Sequence, residues 1–172
     1  NTLKTVIKLK KLKDLNLWHT QVTDNGVALL EALPGLTSLN LDDDPGVTDA
    51  AMDTVGKLTN LEFLHIGQTN VTDAGLNNLK DLKNLQTLVL RGTRVTGVGL
   101  KVLKQFDSLR ALDLSASAVT DAGLKKLKEV KNLEMLNIHD TAVTDAGLKE
   151  LKELKSLQDL YLNKTKVTDA GV

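Results

Sequence analysis

Val71-Thr72-Asp73-Ala74-Gly75-Leu76 decides the reading of this chain, because the hexad returns with small changes from Val22, Val47, Val95, Val119, Val143 and Val167. Successive copies stand 24 residues apart, with a single step of 25 between Val22 and Val47. A fixed period of this size marks a stacked array, in which each unit has an apolar face that only its neighbours cover. Ahead of the next copy, Leu85-Gln86-Thr87-Leu88-Val89-Leu90 alternates apolar and variable positions in its second half. That is the period of a strand with one buried face, and it turns Leu85, Leu88 and Leu90 inward.

Between strand and hexad stands a small hydroxyl residue, at Thr20, Thr69, Thr93, Ser117, Thr141 and Thr165. Such a column is expected to bond turn backbone and satisfy buried amide groups repeat after repeat. Within the hexad, the Thr-Asp pair supplies a helix N-cap, and Leu76, Leu79 and Leu82 follow at i, i+3, i+6. Each unit is therefore strand, tight turn, short helix. Strands that all run one way make a parallel sheet, and the wider helices behind it bend the stack into an arc with the sheet inside. The expected fold is an α/β solenoid of 24-residue repeats, right-handed by the usual crossover rule, with a concave sheet and convex helices.

Two units depart from the pattern. The second carries an extra residue within Asp42-Asp43-Asp44-Pro45-Gly46 and has Ala51 in place of the helix glycine. The fourth has Gly97 where the others have the capping Asp, which is expected to weaken that helix start by ~1 kcal/mol unless Thr96 serves.

Composition excludes several classes. Lys+Arg and Asp+Glu balance at 22 each, so no global field draws the chain to nucleic acid or anionic lipid. Without cysteine there are no disulfides, thiolate metal sites or cysteine nucleophiles. No apolar run approaches the ~18 residues of a membrane span, so no membrane insertion is expected. Residues 1–172 are read as one array. Leu3, Val6, Leu9 and Leu12 align with Leu148, Leu151, Leu154 and Leu157, so the chain starts and stops at the same phase of the repeat. It is therefore expected to be a fragment of a longer protein that lacks both end caps, and to associate weakly end to end.

The pattern L-x-x-L-x-L-x-x-T-x-V-T-D-A-G-L-x-x-L-x-x-L resembles the leucine-rich repeat family. It is most similar to the cysteine-containing subgroup of F-box adaptor proteins and to bacterial arrays with the same VTDAGL turn. The resemblance covers essentially the whole chain, and it implies a curved solenoid that binds other proteins on its concave sheet.

Outward strand positions hold the scarce residue types: Trp18, Phe63 and Tyr161, and His19, His65 and His139. Any one of them is compatible with neutral surface decoration, but their shared placement suits the anchors of an interface. One outward column reads Trp18, Asp42, Gly67, Arg91, Ser115, His139, Asn163; the next reads Asn16, Asn40, His65, Val89, Asp113, Asn137, Tyr161. Gly67 is expected to leave a shallow notch between Asp42 and Arg91. The main contact patch is placed at Trp18, Asp42, Phe63, His65 and Arg91, with His139 and Tyr161 as further partner-binding candidates.

No cofactor, metal or catalytic residue is expected. His65 and His139 lie three units apart, too far to share an ion. Asp42-Asp43-Asp44 lacks the alternating spacing and terminal Glu of a calcium loop. Ser115, Asp113 and His139 invite a triad reading, but nothing marks an oxyanion hole or a strained nucleophile turn. Acidic residues such as Asp14, Glu62, Glu134 and Asp159 on the strand side argue against nucleic acid, and the lysine-rich helices read as a solvated face. The expected function is a non-enzymatic module that recognises a protein or peptide through its concave sheet. The alternatives are a spacer in a multidomain protein, and the substrate-recruiting repeats of an enzyme or F-box-like adaptor whose other domain lies elsewhere.

Overall fold

The computed structural model describes residues 2–171; Asn1 and Val172, the ends of the expected array, lie outside the described residues. Seven three-residue strands follow the period: β1 Asp14–Asn16, β2 Ser38–Asn40, β3 Phe63–His65, β4 Thr87–Val89, β5 Ala111–Asp113, β6 Met135–Asn137 and β7 Asp159–Tyr161. They pair in sequence order, all parallel, in one sheet. Repeat n is counted here from strand βn. The central leucine of each strand lies opposite its equivalent, Leu15 on Leu39, Leu39 on Leu64 and Leu64 on Leu88 among them. The extra residue of repeat 2 does not disturb this register, because Asn40 still faces His65. The loop that contains Pro45 takes up the insertion.

Helical segments lie on the other side. They are α1 Thr2–Val6, α2 Asp24–Val27, α3 Asp49–Val55, α4 Asp73–Leu76, α5 Asp121–Leu124 and α6 Asp145–Glu150. Most run on as 3-10 turns, and repeat 4 has only the 3-10 segment Gly99–Gln105. The reason is in the leucine spacing. Leu76, Leu79 and Leu82 recur every third residue, the period of a 3-10 helix, so tightening the turn keeps all three pointed at the core. All three are fully buried, as are Leu85, Leu88 and Leu90 from the strand side. No described helix is long and apolar enough to cross a membrane.

The hexad owes its composition to a link between repeats. Asp49 in repeat 2 accepts the backbone N–H and the hydroxyl of Thr72 in repeat 3, both at 2.7 Å. Asp24 holds Thr48, Asp121 holds Thr144, and Asp145 holds Thr168 in the same way. The threonine oxygen then accepts the N–H two residues on, capping its helix at Ala50, Ala74 and Ala146 and closing the last turn at Ala170. Thr is thus the cap, and Asp is the tie to the next repeat. The glycine completes the set: a Cβ at Gly75 would collide with the Asp49 carboxylate, and one at Gly147 with that of Asp121.

The hydroxyl column bonds turn backbone, repeat after repeat, as expected. Thr69, Thr93, Ser117 and Thr141 each donate to the carbonyl three residues back, Ile66, Leu90, Leu114 and Ile138, at 2.6–2.7 Å. The groups they satisfy are carbonyls inside their own turn. In repeat 2 the turn is rebuilt: the fully buried Asp44 reaches back to accept the N–H groups of Thr20 and Gln21 at 2.9 and 2.6 Å.

Candidate functional site

The outward face of the sheet is set by the register just described. Asn16, Asn40, His65, Val89, Asp113, Asn137 and Tyr161 face one another in a row across all seven strands, as the sequence columns predict. Just beyond the strand ends, the N–H of His19, Asp43, Gln68, Gly92, Ala116 and Asp140 bonds the carbonyl of Asp42, Gly67, Arg91, Ser115, His139 and Asn163. That bonding carries the second column across the stack in the same register.

Several outward polar residues are occupied by the backbone. The side-chain oxygens of Asn16, Asn40, Asp113 and Asn137 accept the N–H two residues on, at Trp18, Asp42, Ser115 and His139, over 2.8–3.0 Å. An Asn or Asp at this position closes the strand into its turn, which explains four of the seven residues in that row. His65, Val89 and Tyr161 cannot accept in this way and stand in the row for other reasons. The signal was present in the sequence as an Asn or Asp at one phase of the repeat.

The notch expected at Gly67 is filled. Asp42 turns its carboxylate over Gly67 and accepts that residue's N–H at 2.5 Å. A Cβ on Gly67 would stand 3.0 Å from this carboxylate and 3.0 Å from the Arg91 carbonyl, so glycine makes room for Asp42. His65 Nδ1 lies 3.7 Å from the other Asp42 oxygen, and His19 Nδ1 bonds Asp43 at 2.9 Å. Asp42 and His65 are consequently half-buried supports, whereas Arg91 is exposed and belongs to none of the ion pairs among the described residues.

The aromatic side chains are the open ones. Trp18 is 61% exposed, Phe63 41% and Tyr161 49%; the remaining aromatic, Phe106, is buried on the helical side. Trp18 is held at its backbone by Asn16, and its ring lies 6.4 Å from that of His19. The structure gathers Trp18, Asp42, Phe63, His65 and Arg91 on the first four strands and their turns. His139 and Tyr161 fall at the opposite end of the sheet, three and four strands from His65, or about 14 and 19 Å. They form no single patch with the other five. Among the described residues no three His, Asp or Glu side chains gather as a metal site.

Two stretches of the chain, residues 8–30 and 108–128, match the family model described as Leucine Rich repeat. Of solved structures, an internalin (inlF) from Listeria monocytogenes superposes with a TM-score of 0.76 at 21% identity, covering 96% of this chain and 45% of that one. An internalin C2 from the same organism gives 0.77 at 25% identity, covering 95% and 67%. This chain thus spans under half of the first and about two thirds of the second. The comparison with curated proteins finds no match. Hexad, register, the family-model match over two stretches and structural likeness agree that the chain has the fold of a leucine-rich-repeat solenoid.

Proposed function

We propose that this array is a non-enzymatic module that recognises a protein or peptide through its sheet face, with Trp18, Phe63 and Arg91 as the principal contacts. One observation carries the reading: every exposed aromatic side chain lies on the strand side. Large aromatics and an unpaired arginine on an otherwise polar surface are the residue types that dominate binding energy at interfaces. Asp42 and His65 serve this patch from beneath, Asp42 by holding the N–H of Gly67 in the turn between those of Trp18 and Arg91. His139 and Tyr161 belong to a second contact zone at the far end, which a partner lying along the sheet would reach. The likeness to two internalins supports the solenoid frame for such a surface.

The test is affinity capture from the source cell's fractions with the parent chain and a Trp18→Ala, Phe63→Ala, Arg91→Ala variant in parallel. A protein held by the parent and lost by an equally folded variant establishes the patch. Retention by both overturns it, and retention by neither favours the spacer reading.

A further inference from the structure

The opposite face carries a feature independent of the sheet. Charge on the helical side is not uniform along the stack. Residues 24–61 place Asp24, Glu31, Asp49 and Asp53 there against Lys57 alone, whereas residues 97–133 place Lys101, Lys104, Lys125, Lys126, Lys128 and Lys131 against three acids. With the acids committed to a threonine of the next repeat set aside (Asp24, Asp49 and Asp121), two acids face one lysine in the first stretch and two face six lysines in the second. Gly97 also removes the acid that the repeat pattern would put in this region.

Five of these six lysines, all but Lys131, converge on two adjoining clefts. One, of about 280 Å³, is walled by Lys101, Lys104, Lys125, Lys126 and Lys128 with Glu129. The other, of about 530 Å³, shares Lys101 and Lys104 and continues over repeat 3 past Lys80, Asn77 and Asn78. Together they make a trough across three repeats. Glu129 is its single carboxylate, and it pairs with Lys104 at 3.4 Å. Among the described residues Lys80, Lys101, Lys125, Lys126 and Lys128 belong to no ion pair.

We propose that this trough binds a flexible phosphate polymer that carries no bases, of the chemistry of inorganic polyphosphate. Its length over three repeats suits a chain and not a single small anion. All its cations are lysines, hydrated point charges that attract phosphate without demanding one geometry. No aromatic ring lines it, so bases would have nothing to stack on. An extended acidic peptide turns alternate side chains away from any surface, whereas every unit of a polyphosphate presents charge.

The test is isothermal titration calorimetry of the whole chain with short-chain inorganic polyphosphate at several salt concentrations. Five phosphate contacts give a fall in log affinity of about 3–4 per tenfold rise in salt. A Lys101→Gln, Lys104→Gln, Lys125→Gln, Lys128→Gln variant is expected to lose at least about tenfold in affinity. Lys4→Gln, Lys8→Gln, Lys149→Gln, Lys155→Gln, with the same change in net charge, is expected to stay within about twofold. Circular dichroism confirms that both are folded, since all eight side chains are exposed. Equal losses in the two variants, or no heat with the parent chain, overturn the proposal. Polyglutamate of matched charge, a thymidine oligonucleotide and phosphatidylglycerol vesicles form the comparison arms. Binding of any of these as tight as that of polyphosphate transfers the site to an acidic protein, a nucleic acid or a membrane surface, and also overturns it.

Discussion

Asp73 and Gly97 hold the same place in successive repeats and do opposite things. Asp73 accepts four donors from repeat 4: the N–H and hydroxyl of Thr96, and the N–H groups of Gly97 and Gly99, the last at 3.0 Å. Gly97 accepts nothing from repeat 5, and Thr120 there has neither the tie nor a side-chain cap bond. Instead the two backbones close on each other: a Cβ on Gly97 would collide with Gly123, and one on Gly123 would stand 2.9 Å from Gly97. Between repeats 4 and 5 a pair of facing glycines replaces the carboxylate. The contrast shows that the apolar core builds the stack, while the polar ties decide how uniformly it is fastened.

Breaking the core tests the shared part of that comparison and has the largest effect. Leu88 and Leu112 lie on either side of the gap and both are fully buried. Leu88→Ala and Leu112→Ala are each expected to cost about 2–5 kcal/mol in urea unfolding, and by similar amounts, because the leucine layers run through the gap unchanged. A large difference between them would mean that the gap also divides the core.

Restoring the consensus at the gap is the next test. Gly97→Asp looks like a repair in the sequence, but Gly97 has φ +110° and no room for a Cβ. It is expected to destabilise by about 1–3 kcal/mol. A gain in stability would show that the glycine pair is a dispensable defect.

Removing a tie comes next in size. Asp73→Ala leaves the Thr96 and Gly99 donors without their acceptor and is expected to cost about 1–2 kcal/mol, with Thr120→Ala at the gap close to neutral. Thermal unfolding of the two variants side by side reads the difference.

The smallest effect is a titration. The N–H of Thr168, and then its hydroxyl, hold the Asp145 carboxyl below the ordinary 3.8, with Lys149 adding to them and burial opposing. A depressed carboxylate contributes stability that is present above its unfolded value and is lost as pH falls through the lowered one. The last tie is therefore expected to loosen only in acid below that range. Carboxyl carbon NMR of Asp145 checks the direction, and a midpoint at or above 3.8 would mean that the tie does not hold.

The period, the strand register and the buried leucines were legible in the sequence because each follows from one repeating pattern read against its own copies. Parallel strands put equivalent positions side by side, so a column in the text becomes a row on the sheet. What was not legible depends on where side chains turn. Nothing in the order of residues says that Asp42 folds over Gly67, or that Asp49 reaches Thr72 as well as opening its own helix. Trp18, Phe63 and Arg91 are exposed, whereas polar residues at outward positions are taken by the backbone, as Asn16 and Asp113 are. Sequence shows the place of such a residue and not its engagement.

The facing glycines between repeats 4 and 5 also bear on the array as a mechanical object. A chain pulled by its two ends carries the same tension through every layer, and the layer with the fewest cross-ties gives first. Here that seam runs through the lysine trough, between Lys101 and Lys104 on one side and Lys125, Lys126 and Lys128 on the other, and it divides the sheet so that Trp18, Phe63 and Arg91 travel with one piece and His139 and Tyr161 with the other.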